Sequence, residues 1–142
     1  MNLGFIYAAG AAITWGLVYA IDQRILSSTF PVTLLFFNSL VTAIVMLPVM
    51  LFDHGSIKTL LSSGKATLTL LIVSLLLAAL ANFLIFSGIK LVGASSASII
   101  EISYPFFVVL FSLIFFPAVP NTYFFIGGVL IFVGSAIITY FH

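Results

Sequence analysis

Five apolar stretches, each long enough to cross a lipid bilayer, constrain this sequence more than any other feature. They cover about residues 3–21, 30–52, 66–89, 94–116 and 122–141, with lengths of 19 to 24 residues. A hydrocarbon core of roughly 30 Å requires about 20 apolar residues in a helix. The sequence therefore predicts an all-α membrane protein, a bundle of five transmembrane helices forming a single domain over residues 1–142.

The composition supports the membrane and argues against several other classes. Hydrophobic residues make up 63% of the chain and charged residues only 5%, whereas soluble domains carry about 25% charged residues. A net charge of +1 offers no basic surface for nucleic acid. We expect the lipid bilayer to be the main surrounding of this chain, and no nucleic-acid partner.

Glu101 is the one carboxylate that falls well inside an apolar stretch. Charged groups at such depth are costly and usually serve a function. Pro105 lies four residues later, and proline cannot donate the N–H that the Glu101 carbonyl would accept in a helix. We expect a helix kink at Pro105, and Glu101 to bind a proton or the cationic group of a substrate. Ser98 and Tyr104 are the nearest polar groups on its helix face. An internal ion pair with Lys90 is the structural alternative.

Other helices carry candidate partners for this site. Trp15 and Tyr19 share a face of the first helix and could present aromatic surface to an organic cation; ordinary packing is an equally good interpretation. Asn38 on the second helix and Asn82 on the third are further candidates, although such residues more often form hydrogen bonds between helices. On the last helix, four small residues indicate a packing face, namely Gly127, Gly128, Gly134 and Ser135, with Gly127 and Gly134 one heptad apart.

The sequence gives little support to catalysis. His54 and His142 have no metal-ligand spacing, no second carboxylate lies inside the apolar stretches, and the serines near Glu101 lack a basic partner. We expect no catalytic residues, no metal and no cofactor, and therefore a protein that is not an enzyme.

The positive charges give almost no orientation signal. With five spans, Lys58 and Lys65 fall on one side of the membrane, while Arg24 and Lys90 fall on the other. Because lysine and arginine counts set orientation, two interpretations stay open. The loop after the second helix sets a single orientation, or the chain inserts both ways and pairs with an inverted copy of itself. The second predicts an antiparallel homodimer with a binding site near the midplane.

Several segments resemble an EamA-type domain of the drug/metabolite transporter superfamily. They are TWGLVYAIDQ over residues 14–23, GIKLVGASSA over residues 88–97, EISYPF over residues 101–106 and GGVLIFVG over residues 127–134. The resemblance covers nearly the whole chain. Family members commonly carry a glutamate next to the proline of the fourth helix and Gly-Glu after that helix. Here Glu101 precedes Pro105 by four residues, and Phe116-Pro117-Ala118 follows the helix. The related small multidrug resistance proteins have their key carboxylate in the first helix, which is predicted here to contain none.

The resemblance implies one half of an inverted-repeat transporter, since most family members are tandem duplications with about ten helices. It implies transport of small organic solutes or metabolites across the inner cell membrane. We combine it with the residues above into a prediction of an inverted homodimer, with possible proton coupling at Glu101. The alternatives are a non-transporting membrane subunit and a component of a lipid-linked-sugar flippase.

Overall fold

The computed structural model describes residues 3–115 and 122–141, and every regular element in these two ranges is an α-helix. Five candidate spans are long and apolar enough to cross a membrane, so the prediction of an all-α membrane protein is confirmed. The helices are α1 (Leu3–Leu26), α2 (Pro31–Phe52), α3 (His54–Ser62), α4 (Lys65–Val92), α5 (Ala94–Glu101), α6 (Tyr104–Phe115) and α7 (Thr122–Phe141).

Helix α1 continues five residues beyond its predicted end at Ile21, through Leu26. The extension contains Asp22 and Gln23, whose polar side chains predict a loop. Asp22 is only 7% exposed, and the Gln23 side chain accepts a hydrogen bond from the backbone of another helix. Hydropathy marks where a helix leaves the hydrocarbon, whereas the backbone hydrogen bonds of a helix continue wherever its polar side chains find suitable surroundings.

The predicted loop between the second and third spans contains the short helix α3. Asp53 caps it, since its side-chain Oδ1 accepts a hydrogen bond from the N–H of Ser56 at 3.3 Å, which satisfies one of the donors left over at a helix N-terminus. Gly64, with a φ of +92°, forms the turn between α3 and α4.

The fourth span is two helices and not the single kinked helix over residues 94–116 that the sequence predicts. Helix α5 ends at Glu101, α6 begins at Tyr104, and Ile102 and Ser103 form a turn between them. Pro105 lies in the first turn of α6, where a missing N–H costs nothing. The interruption associated with Pro105 is therefore a break between two helices, and Glu101 is the last residue before it. Residue 116 lies outside the described residues.

The contacts divide the chain into two compact units. One consists of Met1–Arg24 and Gly88–His142, and the other of Ile25–Ser87. The first contains most of α1 together with α5, α6 and α7, and it includes Glu101. The second contains α2, α3 and most of α4.

Within the first unit, two of the four small residues predicted for the packing face of α7 are the ones that pack. Gly128 and Ser135 are the buried small residues of this helix, and a Cβ built on Gly128 would lie 3.3 Å from the Cα of Phe106. By contrast, a Cβ on Gly127 or Gly134 would have no atom within 4 Å. Both pairs are one heptad apart, so spacing alone could not distinguish them. The rings of Phe106 and Phe132, 5.4 Å apart, extend the same α6–α7 contact.

Candidate functional site

The side chains of Glu101 and Tyr19 form a hydrogen bond across 82 residues of sequence. The Tyr19 hydroxyl donates to Glu101 Oε2 at 2.7 Å, which is the usual distance of an O–H···O hydrogen bond. Tyr19 is 9% exposed and Glu101 is partly buried. Both lie inside candidate membrane spans. The carboxyl group predicted to be the functional centre is therefore held by a partner from the first helix.

Trp15 extends this pair by one helical turn. Its ring centroid lies 5.5 Å from that of Tyr19, with the two ring planes inclined at 51°. Trp15 is 45% exposed, so part of its aromatic face is accessible. The structure thus brings together three of the predicted site residues, Trp15, Tyr19 and Glu101, as two rings and one carboxyl group.

The two polar residues expected beside Glu101 on its own helix are placed differently. The Ser98 hydroxyl donates to the Ser95 carbonyl at 3.0 Å, so its proton is engaged within α5. Tyr104 begins α6 after the break, and its side chain is 60% exposed. The hydroxyl that contacts Glu101 is that of Tyr19, from a segment far away in the sequence.

Asn38 and Asn82 belong to the second unit. The Asn82 amide donates to the Ala78 carbonyl one turn earlier on α4, at 2.9 Å. Asn38 has an exposed side chain on α2. Whether either contributes to solute binding stays a prediction.

Hydrogen bonds from outside α5 stabilise the break next to Glu101. In an uninterrupted helix the Ile99 carbonyl would accept the N–H of Ser103, but that N–H is bonded to Ile100 at 3.2 Å. The Ser135 hydroxyl of α7 donates to the Ile99 carbonyl instead, at 2.7 Å. The Ser103 hydroxyl also donates to Ile100, at 2.7 Å. The carbonyls released by the break thus receive replacement donors, so Glu101 ends its helix in a defined position.

A second hydrogen bond joins α1 to α5 at the other end of α5. The backbone N–H of Ala94 donates to Gln23 Oε1 at 2.7 Å, which caps the helix in place of a local side chain. Gly93 precedes this cap with φ 84° and ψ 159°, a conformation essentially restricted to glycine. Tyr19 and Gln23 are one turn apart on α1 and reach Glu101 and Ala94 respectively. The two bonds therefore hold α1 and α5 antiparallel and fix Tyr19 against Glu101.

Asp22 is a buried carboxyl group of α1 that the sequence pattern does not predict. Its polarity predicts a loop, and the first helix is predicted to contain no carboxylate. The structure places Asp22 inside α1, 7% exposed and one turn beyond Tyr19. The signal that could have identified it is its spacing of three residues from Tyr19, which puts both side chains on one face of a helix.

The arrangement can bind a proton or a cationic group. A carboxylate has about four acceptor positions on its two oxygens, so one hydrogen bond from Tyr19 leaves capacity for another ligand. The adjacent tryptophan and tyrosine rings present electron-rich faces of the kind that attract organic cations. In the parts of the chain that the structure describes, three or more metal-ligating side chains do not cluster at any point.

Five apolar helices with a tyrosine-bound carboxyl group between two of them define a multi-pass membrane protein with a polar site inside its spans. The model of the EamA-like transporter family matches residues 2–140. The chain belongs to this family, and membership implies a membrane transporter of the drug/metabolite type. The family resemblance noted in the sequence is thereby confirmed. Comparisons with curated proteins and with solved structures found no match.

Proposed function

We propose that this protein transports small organic solutes across the inner cell membrane and that Glu101 is the group that binds and releases a proton or the cationic part of the solute. The observation that carries the proposal is the 2.7 Å hydrogen bond from Tyr19 to Glu101 inside the membrane spans. Ionisable groups at this depth are usually found on substrate, ion or proton pathways. Trp15 and Tyr19 supply the aromatic surface for an organic cation.

Tyr19 is suited to exchange places with a ligand of Glu101. Its hydroxyl is neutral and binds through one hydrogen bond, so an incoming proton or ammonium group replaces it without separating two opposite charges. A charged partner would oppose this exchange, because breaking a buried ion pair leaves an uncompensated charge. A tyrosine can therefore hold the carboxylate in the absence of solute and release it when solute arrives.

We further propose that the working form is an antiparallel homodimer. An odd number of spans places the two ends of one chain on opposite sides of the membrane, and two fused copies of such a chain would form an inverted repeat. The equal division of the four Lys and Arg residues between the two sides is compatible with insertion in both orientations. Two copies would supply two Glu101 side chains to a shared pathway.

Transport in proteoliposomes tests the role of Glu101. With a proton gradient imposed, a panel of small amines, amino acids and sugars identifies a solute that the wild type exchanges in a pH-dependent manner. We expect Glu101→Gln to lose this pH-driven exchange, since glutamine keeps the shape and cannot titrate. Asp53→Asn is the matched control, because it removes a carboxylate outside the spans while keeping an oxygen that can cap α3. Intact coupling in Glu101→Gln would refute the proposal, and a purified protein that binds no solute without a companion would favour the non-transporting subunit.

Accessibility of a reporter tests the antiparallel arrangement. The chain contains no cysteine, so one cysteine added at the C-terminus can be labelled selectively with a reagent that does not cross membranes. Labelling from both sides of the membrane is expected for dual insertion. A single orientation in all molecules would exclude the inverted homodimer while leaving the role of Glu101 untouched.

A further inference from the structure

The short helix α3 has two distinct faces. Ile57, Leu60 and Leu61 follow the spacing of one helical face, and each is at least 38% exposed. Thr59 lies on the opposite face by the same helical geometry, and Lys58 lies to one side. A surface helix with an unburied apolar face of this kind is typical of segments that lie in the membrane interface.

The connections of α3 keep it at the membrane surface. One residue, Asp53, separates the end of α2 from the start of α3, and two residues, Ser63 and Gly64, separate the end of α3 from the start of α4. Both neighbouring helices are candidate spans. With nine residues and a rise of 1.5 Å per residue, α3 is only about 13 Å long. It cannot move far from the boundary where α2 leaves the bilayer and α4 enters it.

A groove along α3 has a cationic part and an apolar part, which complement the headgroup and the acyl chains of a phospholipid. It is shallow and open to its surroundings, and it is lined by Ile57, Lys58, Leu61 and Ser62. The lysine can bind a phosphate, while the isoleucine and leucine side chains offer an apolar wall to the start of an acyl chain. Since Lys58 is the charged residue of this lining, charge complementarity favours an anionic headgroup over a zwitterionic one.

We propose that α3 lies in the headgroup layer and that its groove binds an anionic phospholipid. Ile57, Leu60 and Leu61 face the acyl chains, and Lys58 contacts the lipid phosphate. The site lies in the second unit and contains none of the residues proposed for transport. It is therefore independent of the proposed function, and it would link α2 and α4 to the lipid composition of the membrane.

Two single-cysteine variants test the position of α3. Leu61→Cys and Thr59→Cys, each made in a chain with no native cysteine, are spin-labelled and placed in phosphatidylcholine vesicles that contain phosphatidylglycerol. Because a helix with its side chains is about 10 Å across, the label at 61 is expected about 10 Å deeper in the bilayer than the label at 59. Equal depths would overturn the proposal. The proposal would also be overturned if the label at position 61 is shielded from water only at high protein-to-lipid ratio. That result would indicate that a second copy of the chain, and not lipid, covers the apolar face of α3.

The lipid selectivity of the protein tests whether the groove binds an anionic phospholipid. Spin-labelled phosphatidylglycerol is expected to associate with the wild type in preference to spin-labelled phosphatidylcholine, and Lys58→Gln is expected to reduce this preference about fivefold. Lys65→Gln is the matched control, since it removes a charge at the start of α4 that does not line the groove. A smaller loss in Lys65→Gln supports the proposal. Equal losses in the two variants, or no preference in the wild type, would overturn it.

Discussion

The hydroxyl of Ser135 on α7 donates a hydrogen bond to the backbone carbonyl of Ile99 on α5, across 36 residues and a distance of 2.7 Å. This carbonyl lies two residues before Glu101 and has lost its usual helical donor, because the N–H of Ser103 is bonded to Ile100. Ser135 therefore does more than join two helices. It stabilises the end of the helix on which the candidate carboxyl group is placed.

Replacing Ser135 with alanine is expected to lower the free energy of unfolding by about 1 kcal/mol, because the Ile99 carbonyl would lose its donor in an apolar layer. Thr139→Ala is the matched control. It also removes a hydroxyl from α7, but that hydroxyl bonds only to Ser135 of its own helix, at 2.9 Å. Reversible unfolding in mixed micelles measures both variants. A loss in Thr139→Ala as large as that in Ser135→Ala would show that the α5–α7 bond has no special role.

Two adjacent glycines of α7 are expected to respond differently to substitution. A Cβ on Gly128 would lie 3.3 Å from the Cα of Phe106, a backbone atom that cannot rotate away, whereas Gly127 has open space. Alanine is a better helix former than glycine by about 1 kcal/mol in water. We therefore expect Gly127→Ala to be neutral or stabilising and Gly128→Ala to be less stable than Gly127→Ala.

A larger side chain at the same positions makes the contrast sharper. Gly128→Val should fall below the wild type in thermal stability, because it forces α6 and α7 apart at Phe106. Gly127→Val serves as its control. If both valine variants melt at the same temperature, α7 does not pack on α6 through Gly128.

The five spans could be predicted because membrane insertion depends on the summed hydrophobicity of a segment, which follows directly from the residues it contains. Glu101 could be identified for the same reason, because it is an ionisable residue inside a strongly hydrophobic segment. The end of α1 could not, because polar Asp22 and Gln23 look like a loop until Asp22 is seen to be buried and Gln23 is seen to cap α5.

Local patterns could propose partners for Glu101 but could not show which of them contacts it. Tyr19 and Glu101 are 82 residues apart, and helical spacing ranks candidates on one helix without saying which helix lies opposite. Spacing therefore identified Ser98 and Tyr104 on the helix of Glu101, and Trp15 and Tyr19 on the first helix, without showing which hydroxyl bonds to the carboxyl group. The helix break is a similar case, since Pro105 predicts an interruption but the donor that stabilises it comes from Ser135 on α7.

Gly93 is expected to tolerate no side chain. Its φ of 84° and ψ of 159° are nearly restricted to glycine, and a residue with a Cβ there costs of order 1–3 kcal/mol. Gly93→Ala should therefore reduce stability by that amount and weaken the cap that Gln23 provides to Ala94. Gly16→Ala is the control, since Gly16 lies within α1, has no positive φ and has open space around it. Equal stability of the two variants would mean that the α4–α5 turn adopts another conformation.

The bond between Tyr19 and Glu101 makes the two side chains energetically dependent on each other. Tyr19→Phe removes only the hydroxyl, and Glu101→Ala removes the acceptor. If the bond forms in the membrane, the double variant should lose less stability than the sum of the two single variants, by about 1 kcal/mol. Unfolding of all four proteins in the same micelles gives this coupling energy. Trp15→Phe combined with Glu101→Ala is the matched control, because Trp15 contacts the ring of Tyr19 and is expected to show less coupling to the carboxyl group. Strict additivity for Tyr19 and Glu101 would mean that the hydroxyl does not hold the carboxylate, and it would remove the contact on which the exchange of Tyr19 for a solute depends.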